Sequence, residues 1–160
     1  MMIYGMDAAV AKWAGDRLGI SDWGPCKAIG VMRHGDLAAA AVFHQYRHPN
    51  IEISFVVANP RWQTPGAVRA IMSYPFVQLD CRRLTATTEA TNQRARAFLC
   101  RLGFNEEGYH PDAFSSGDAV TYGLLRKDAA RWLKEDKARG EIEPVSSADT
   151  DRIADRGGSR

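Results

Sequence analysis

Residues 52–104 read EISFVVANPRWQTPGAVRAIMSYPFVQLDCRRLTATTEATNQRARAFLCRLGF, and this stretch decides the fold. Its order of apolar, polar and turn residues predicts a strand, a glycine-containing turn that opens a helix, a second strand, and a second helix that ends at Gly103. The first N–H groups of a helix have no partner within the helix, so a helix that directly follows a strand offers a binding site for an anion. The turn around Gly66 is therefore the first candidate for a ligand site.

The composition is that of one ordinary globular domain. The chain has 160 residues, 45% of them hydrophobic and 25% charged, and a formal net charge of +2 that gives no general attraction to nucleic acid. Cys26, Cys81 and Cys100 have no Cys-x-x-Cys spacing, so we expect reduced, buried thiols in a cytoplasmic protein. No apolar run approaches the ~20 residues of a membrane helix, and no signal-peptide pattern opens the chain. We therefore expect a soluble protein without a membrane partner.

On the N-terminal side of this stretch, the pattern predicts a helix and a hairpin. Asp7–Leu18 has a helical apolar stripe, with Asp7 as a possible N-cap and Gly19 as the stop. Strands are expected at 26–32 and 37–46, joined by a turn at 34–36. The four alanines at 38–41 suit a helix or a strand, and we favour a strand because turn residues bracket the run.

The remaining elements follow the same reasoning. We predict a helix at 66–79 that Pro75 interrupts, a strand at 83–89 rich in threonine, and a helix at 92–102. Further expected elements are a strand at 51–58, a final strand pair at 104–110 and 119–126, and a charged helix at 128–139. Residues 1–139 should form a single domain, and the polar residues 140–160 a disordered tail.

Two motifs within 52–104 resemble those of a known superfamily. Gln63-Thr-Pro-Gly66-Ala-Val68 resembles the pyrophosphate loop of the GNAT superfamily of acyl-CoA-dependent N-acetyltransferases, with Val68 where the family has glycine or alanine. Asn92-Gln-Arg-Ala95, followed by Gly103-Phe104, resembles the family's later signature, and the likeness covers roughly residues 26–126. The resemblance implies an α/β fold with a central mixed, mostly antiparallel sheet and helices on both faces. It also implies transfer of an acetyl group from acetyl-CoA to a primary amine.

The same resemblance implies a set of cofactor-binding residues. Backbone amides of Phe55, Val56 and Val57 would pair with the pantetheine arm, because the family parts this strand from its neighbour. The pyrophosphate would lie over the turn formed by Gln63, Thr64, Gly66, Ala67 and Val68, although Pro65 removes one N–H donor. Asn92 is either a helix N-cap or a residue that positions the cofactor, or both. Arg96, with Arg94 and Arg101, would reach the phosphates or would simply be solvated.

Proton transfer needs a base and an acid. Glu52 is the first candidate for the base, because the histone acetyltransferase branch has a glutamate at this place, and a surface glutamate is the alternative. His44 on the neighbouring strand is the second candidate. The family's tyrosine acid falls on Leu99, so Tyr109 and Tyr122 are the possible substitutes, and both also suit packing. The four histidines show no spacing typical of a metal site, so no metal is expected.

Two other interpretations stay open. Pro65, Val68 and Leu99 depart from the family pattern, which is compatible with an inactive member that binds CoA or a partner. A phage-type acyltransferase acting on a nucleotide or DNA base is the other possibility, provided that three tryptophans and nearby basic residues surround one cleft: Trp13, Trp23, Trp62, Arg47, His48 and Arg61. The acceptor is not identified, and a homodimer is possible because family members often dimerise.

Overall fold

The structure is a computed structural model and describes residues 1–134. One seven-stranded sheet has the strand order β1-β2-β3-β4-β5-β7-β6. Its strands are β1 (Met2–Ile3), β2 (Lys27–Arg33), β3 (Asp36–Arg47), β4 (Asn50–Val57), β5 (Arg83–Glu89), β6 (Asn105–Phe114) and β7 (Gly117–Leu125). The helices are α1 (Asp7–Leu18), α2 (Pro65–Ser73), α3 (Gln93–Leu102) and α4 (Ala130–Leu133).

Every strand pair but one is antiparallel. The exception is β4 with β5, which run parallel because the chain crosses over through α2 between them. The predicted mixed, mostly antiparallel sheet is confirmed, and the run of alanines at 38–41 lies in β3, as predicted. Among the described strands, β4 and β5 are therefore the one pair of neighbours that run in the same direction.

Helices cover both faces of the sheet, because side chains alternate between the faces along each strand. On one face, α1 packs Val10, Ala11 and Ala14 against Ala40 and Val42 of β3 and other small residues. On the opposite face, α2 and α3 form the main core with the alternate residues of the same strands, including Ala39, Ala41, Phe43, Ile51 and Ile53. This alternation assigns each residue of β4 to one face or the other.

The ends of α1 show one wrong expectation and one confirmed one. Asp7 is not the N-cap, because Met6 holds that position without a side-chain cap. The Asp7 carboxylate instead accepts the Ala28 N–H at 2.7 Å and lies 3.3 Å from Lys27 Nζ, so it ties the helix to β2. Gly19 ends the helix in the left-handed conformation at φ 71°, as predicted.

Several other elements have bounds that differ from the predicted ones. The predicted kink at Pro75 is a π-helical turn, Tyr74–Gln78, in which the Leu79 N–H donates to Tyr74 O at 3.0 Å. The last two strands are longer than predicted, because β6 lies at the edge of the sheet and tolerates Pro111 there. Within the described residues the final helix is limited to α4, and the rest of the predicted helix and the predicted tail lie outside them.

The cysteines differ in burial. All three cysteines are free thiols, but only Cys81 is buried; Cys26 is half-buried and Cys100 is exposed on α3, so the expectation of buried thiols was wrong for Cys100. None of the helices formed by residues 1–134 has the length and apolar character needed to cross a membrane.

Candidate active site

Strands β4 and β5 separate soon after they meet. Their pairing covers only Asn50–Glu52 against residues 83–85, although β4 continues to Val57 and β5 to Glu89. A gap between the two strands therefore opens beyond Glu52, at the centre of the sheet. The turn that leads into α2 lies near β4 here, because Trp62 of that turn packs against Phe55 at 6.2 Å between ring centroids.

The hydrogen-bond alternation of β4 shows which backbone groups face this gap. The Ala58 N–H donates to Ala38 O at 2.8 Å, so the even-numbered residues of β4 exchange hydrogen bonds with β3. The Arg83 N–H donates to Pro49 O at 3.2 Å, so the odd-numbered residues point toward β5. In the described part of the chain, Phe55 and Val57 thus present backbone groups to the gap beyond the last β5 pair. Val56, grouped with them from the sequence, faces β3 instead.

The turn before α2 is built by capping side chains. The Asn59 side chain accepts the Arg61 N–H at 3.0 Å, and the Thr64 hydroxyl accepts the Ala67 N–H at 3.2 Å as the N-cap of α2. Pro65 at the first helical position has no N–H to satisfy. Gln63, Thr64 and Gly66 are exposed, whereas Ala67 and Val68 are buried. The exposed end of α2 is therefore the N-terminus of a well-capped helix.

Gly66 is not explained by the fold. A Cβ added at Gly66 would meet no atom within 4 Å, and its φ lies outside the left-handed region. The fold would accept alanine here, which is also the better helix former. Glycine is useful at this position if another molecule lies against the backbone. The turn and the gap thus place a helix N-terminus, which favours an anion, beside unpaired strand backbone.

On the α1 side of β4, Glu52 belongs to a polar cluster. His44 lies opposite Glu52 on β3, with His44 Nδ1 3.9 Å from Glu52 Oε2. The other ring nitrogen, Nε2, is 3.0 Å from Ser54 Oγ, and the Trp23 ring packs at 5.3 Å between centroids. Glu52 keeps 39% of its side chain exposed, against 16% for His44. Another molecule can therefore reach Glu52 more easily than His44.

His44 is predominantly neutral near pH 7. Burial lowers the pKa of His44 below its usual 6.5, and the nearby Glu52 carboxylate opposes this effect only in part. Electrostatics favour the tautomer with the hydrogen on Nδ1, because that hydrogen then faces the carboxylate. Ser54 would then donate its hydroxyl hydrogen to Nε2. The Trp23 contact was not foreseen, since the two residues are separated in sequence and no periodicity connects them.

The two tyrosine candidates differ in burial and in the strand that carries them. Tyr122 is buried in β7, directly beside β5, and its hydroxyl accepts a hydrogen bond from Arg96 Nε at 3.0 Å. Tyr109 lies on the edge strand β6, is 57% exposed, and donates its hydroxyl hydrogen to Asp118, which raises the pKa of Tyr109. Two strands separate β6 from β4, so Tyr109 is remote from Glu52.

Arg96 has partners within its own chain. Besides Tyr122, it donates to Ala90 O and to Glu106 Oε2, each at 3.0 Å. These contacts join α3 to the end of β5 and to β6. The guanidinium therefore serves a structural network, and it is a weaker candidate for a phosphate contact than the sequence indicated.

Asn92 and Leu99 are placed by α3. Asn92 is the N-cap of this helix, where its side chain accepts the Ala95 N–H at 3.0 Å, and it is exposed. Leu99 is 4% exposed and belongs to the main core. The capping role of Asn92 is confirmed, and its exposed amide remains available to another molecule. Leu99 has a packing role.

The tryptophans do not surround one cleft. Trp13 and Trp23 pack on the α1 side of the sheet, whereas Trp62 is buried in the core on the opposite face. The arrangement on which the nucleotide or DNA-base interpretation depended is therefore not present. Residues 1–134 also hold no group of three histidine, cysteine, aspartate or glutamate side chains suited to a metal ion.

Comparison with known proteins gives a family match and a set of similar folds. The family described as acetyltransferase (GNAT) family matches residues 8–104, which is more than half of the chain. No curated protein matches the sequence significantly.

Solved structures share the architecture at low sequence identity. Mutant forms of the spermidine/spermine N-acetyltransferase SpeG from Vibrio cholerae match with a TM-score of 0.62 and 16% identity, over 84% of this chain and 99% of theirs. The ribosomal-protein-S5-alanine acetyltransferase from Vibrio fischeri matches with a TM-score of 0.59 and 12% identity, over 79% and 93% of the two chains. An acetyltransferase of the GNAT family from Bacillus anthracis matches at 0.52 and 23%, over 62% and 66%. These similarities establish the fold.

Proposed function

The chain belongs to the GNAT family of acetyltransferases, and from that premise we propose that it transfers an acetyl group from acetyl-CoA to a primary amine by direct attack of the amine. One observation carries the proposal: β4 and β5 separate next to an exposed helix N-terminus at Gly66. A plain strand-to-helix turn would need neither the gap nor the glycine. We place the reaction in the cytoplasm, where free thiols persist.

The backbone would hold the cofactor. Phe55 and Val57 offer N–H and C=O groups along the gap, and the first turn of α2 offers its positive end to the diphosphate. Asn92, exposed at the start of α3, would contact the arm from the other side of the gap. Bound acetyl-CoA supplies the thioester from which the acetyl group leaves. The residues of the chain supply its position and the proton transfers.

Glu52 would accept the proton of the amine. It is more exposed than His44, and it is the last residue of β4 that pairs with β5, where the gap begins. A neutral His44, held by Ser54 and Trp23, would keep the carboxylate oriented.

Tyr122 is a better-placed candidate for the acid than Tyr109, because its strand adjoins β5. Its hydroxyl oxygen accepts a hydrogen bond from Arg96, so the hydroxyl hydrogen is left to be donated.

The acceptor would approach from the α1 side of the sheet, where Glu52 and Trp23 lie. A carboxylate beside an aromatic ring suits the cationic form of an alkyl amine. The Vibrio cholerae match is an acetyltransferase of spermidine and spermine, and we propose a small aliphatic amine as the acceptor class here.

A thermal-shift titration with acetyl-CoA tests the proposal. A ligand that binds only the folded state stabilises it by RT ln(1 + [L]/Kd), or about 2.7 kcal/mol at a hundredfold excess over Kd. We expect the midpoint of unfolding to rise with acetyl-CoA concentration, and release of free CoA thiol when an aliphatic diamine is added. Adenosine, which has no diphosphate or pantetheine, is the matched control. An unchanged midpoint at millimolar acetyl-CoA would contradict the proposal and favour an inactive relative.

A further inference from the structure

Trp62 has a buried indole N–H without a hydrogen-bond partner. The side chain is 1% exposed, and its Nε1 atom is inaccessible to solvent. Two other tryptophans in the described chain have backbone acceptors: Trp23 Nε1 donates to Ala11 O at 2.9 Å, and Trp132 Nε1 donates to Leu102 O at 2.8 Å. A buried donor that lacks an acceptor is destabilising, and native proteins rarely retain one without a reason.

The position of Trp62 connects it to the gap. It directly precedes Gln63 and packs against Phe55 and Phe98, at 6.2 and 5.8 Å between ring centroids. Phe55 and Phe98 also touch edge to face at 5.2 Å. The three rings therefore form an aromatic trio that joins β4 to α3 on the face opposite Glu52. The edge-to-face contact with Phe98 offsets only part of a missing hydrogen bond.

Phe55 is the accessible member of the trio. It is half-buried, whereas Trp62 and Phe98 are buried, and its own backbone faces the gap between β4 and β5. A molecule that lies along the gap would therefore contact the Phe55 backbone and ring first. Because the Phe55 ring packs against the indole, turning this one side chain aside would open a path between the indole and the gap.

We propose that Trp62 is a binding residue for the pantetheine arm, its indole N–H donating to a carbonyl of the arm after the Phe55 ring has turned aside. The inference rests on the proposed function, because it needs an acyl-CoA in the gap. Pantetheine carries two amide carbonyls and the thioester carbonyl, and a buried donor binds such acceptors well. The Trp62 N–H would thus gain an acceptor when the arm binds, and this hydrogen bond would strengthen binding.

Indole resonances of protein labelled with ¹⁵N-tryptophan test this directly. In the free protein, the Trp62 indole proton should resonate upfield of the hydrogen-bonded Trp132 proton. CoA should move the Trp62 signal downfield and leave that of Trp132 in place. The nucleotide fragment 3′,5′-ADP, which lacks the arm, should not move it. Variants W13F, W23F and W132F assign the Trp62 signal by elimination, even if a Trp62 variant does not fold.

Affinity gives a second readout. Trp62→Phe should weaken CoA binding about tenfold in calorimetry and leave 3′,5′-ADP binding unchanged, while W132F changes neither. A Trp62 signal already downfield in the free protein would show an internal acceptor or a buried water and overturn the inference. So would CoA binding with an unmoved Trp62 signal, which leaves the proposed function intact. Absence of any CoA binding overturns both.

Discussion

The two faces of β4 differ in polarity and in exposure around Glu52 and Phe55. On the α1 side, Glu52 and Ser54 form a polar row that reaches solvent and includes His44. On the α2 and α3 side, Phe55 belongs to an aromatic trio with Trp62 and Phe98 that is largely closed. One strand thus separates a polar, open surface from an apolar, closed one at the same gap.

This difference indicates a division of labour. Removal of the amine proton needs a charged group that the amine can reach, so this step suits the open, polar face, whereas the candidate acid Tyr122 lies in the core of the other face. Holding a long arm and excluding water needs apolar walls and backbone donors, which the closed face and the gap provide. Because side chains alternate along a strand, one short segment supplies both. A variant on one face should therefore leave the function of the other intact.

The largest expected effect comes from the polar face. Glu52→Gln removes the base without changing shape, and a general base contributes roughly 10²–10⁴-fold to rate. We expect kcat to fall by about that factor in a steady-state assay with an aliphatic amine, while the Kd for acetyl-CoA in calorimetry stays the same. Glu107→Gln is the matched control, because Glu107 is ion-paired with Arg83 on the same side of the sheet. Unchanged turnover in E52Q would remove Glu52 from the mechanism.

The next effect belongs to the cofactor side. Gly66→Ala should weaken acetyl-CoA binding at least about tenfold, because the added methyl group would occupy the space where the diphosphate lies. The free protein should keep its stability or gain about 0.5–1 kcal/mol, since alanine is the better residue in a helix. Calorimetry measures the affinity and urea unfolding the stability.

Gly19→Ala is the control with the opposite pattern. An added Cβ at Gly19 also meets no atom within 4 Å, but its φ of 71° strains any other residue. G19A should therefore lose stability and keep its acetyl-CoA affinity. If G66A bound acetyl-CoA as tightly as the parent protein, the ligand would not lie against this turn.

Part of the fold could be predicted from the sequence. Periodicity and capping residues fix local structure, so α1 (Asp7–Leu18) and β5 (Arg83–Glu89) have the predicted bounds, and Asn92 caps α3 as expected. The resemblance in the two motifs led to the fold and the family. The shared face of Glu52 and Ser54 also follows from alternation along β4.

Other features depend on contacts that no local pattern encodes. The two-residue strand β1 is too short to show a period, and it exists only because β2 pairs with it. The Trp23–His44 contact joins a loop to a strand. The unpartnered Trp62 N–H is visible only once its surroundings are packed. Asp7 resembled an N-cap because the competing acceptor role toward Ala28 requires the folded sheet.

A smaller effect separates the two roles of Asn92. Asn92→Ala should lower the free energy of unfolding by about 1 kcal/mol, because Ala95 loses its capping acceptor. Asn92→Asp keeps an acceptor oxygen, so its stability should match the parent in urea unfolding. A loss of acetyl-CoA affinity in N92D then reports the exchange of the amide for a carboxylate, which removes a donor and adds a negative charge. Equal affinities for N92D and the parent would reduce Asn92 to a helix cap.

The smallest expected effect is the pH dependence of His44. Burial lowers its pKa in the folded state below the unfolded value of about 6.5. Above that pH the residue is neutral in both states and its contribution to stability is complete. As the pH falls below it, the unfolded chain binds a proton more readily, so the free energy of unfolding decreases. Urea unfolding of the parent and of His44→Gln between pH 7.5 and 5 measures the difference.

The sign of that difference in stability shows whether burial or the charge of Glu52 has the larger effect on the pKa of His44. Glu52 lies 3.9 Å from His44 Nδ1 and raises its pKa against the effect of burial, while Ser54 and Trp23 add no charge. If burial dominates, the parent loses stability relative to H44Q as the pH falls, and His44 stays neutral beside a charged base. If the parent gained stability instead, His44 would be protonated in the working range. A protonated His44 would hold Glu52 in an ion pair and lower the basicity on which proton removal from the amine depends.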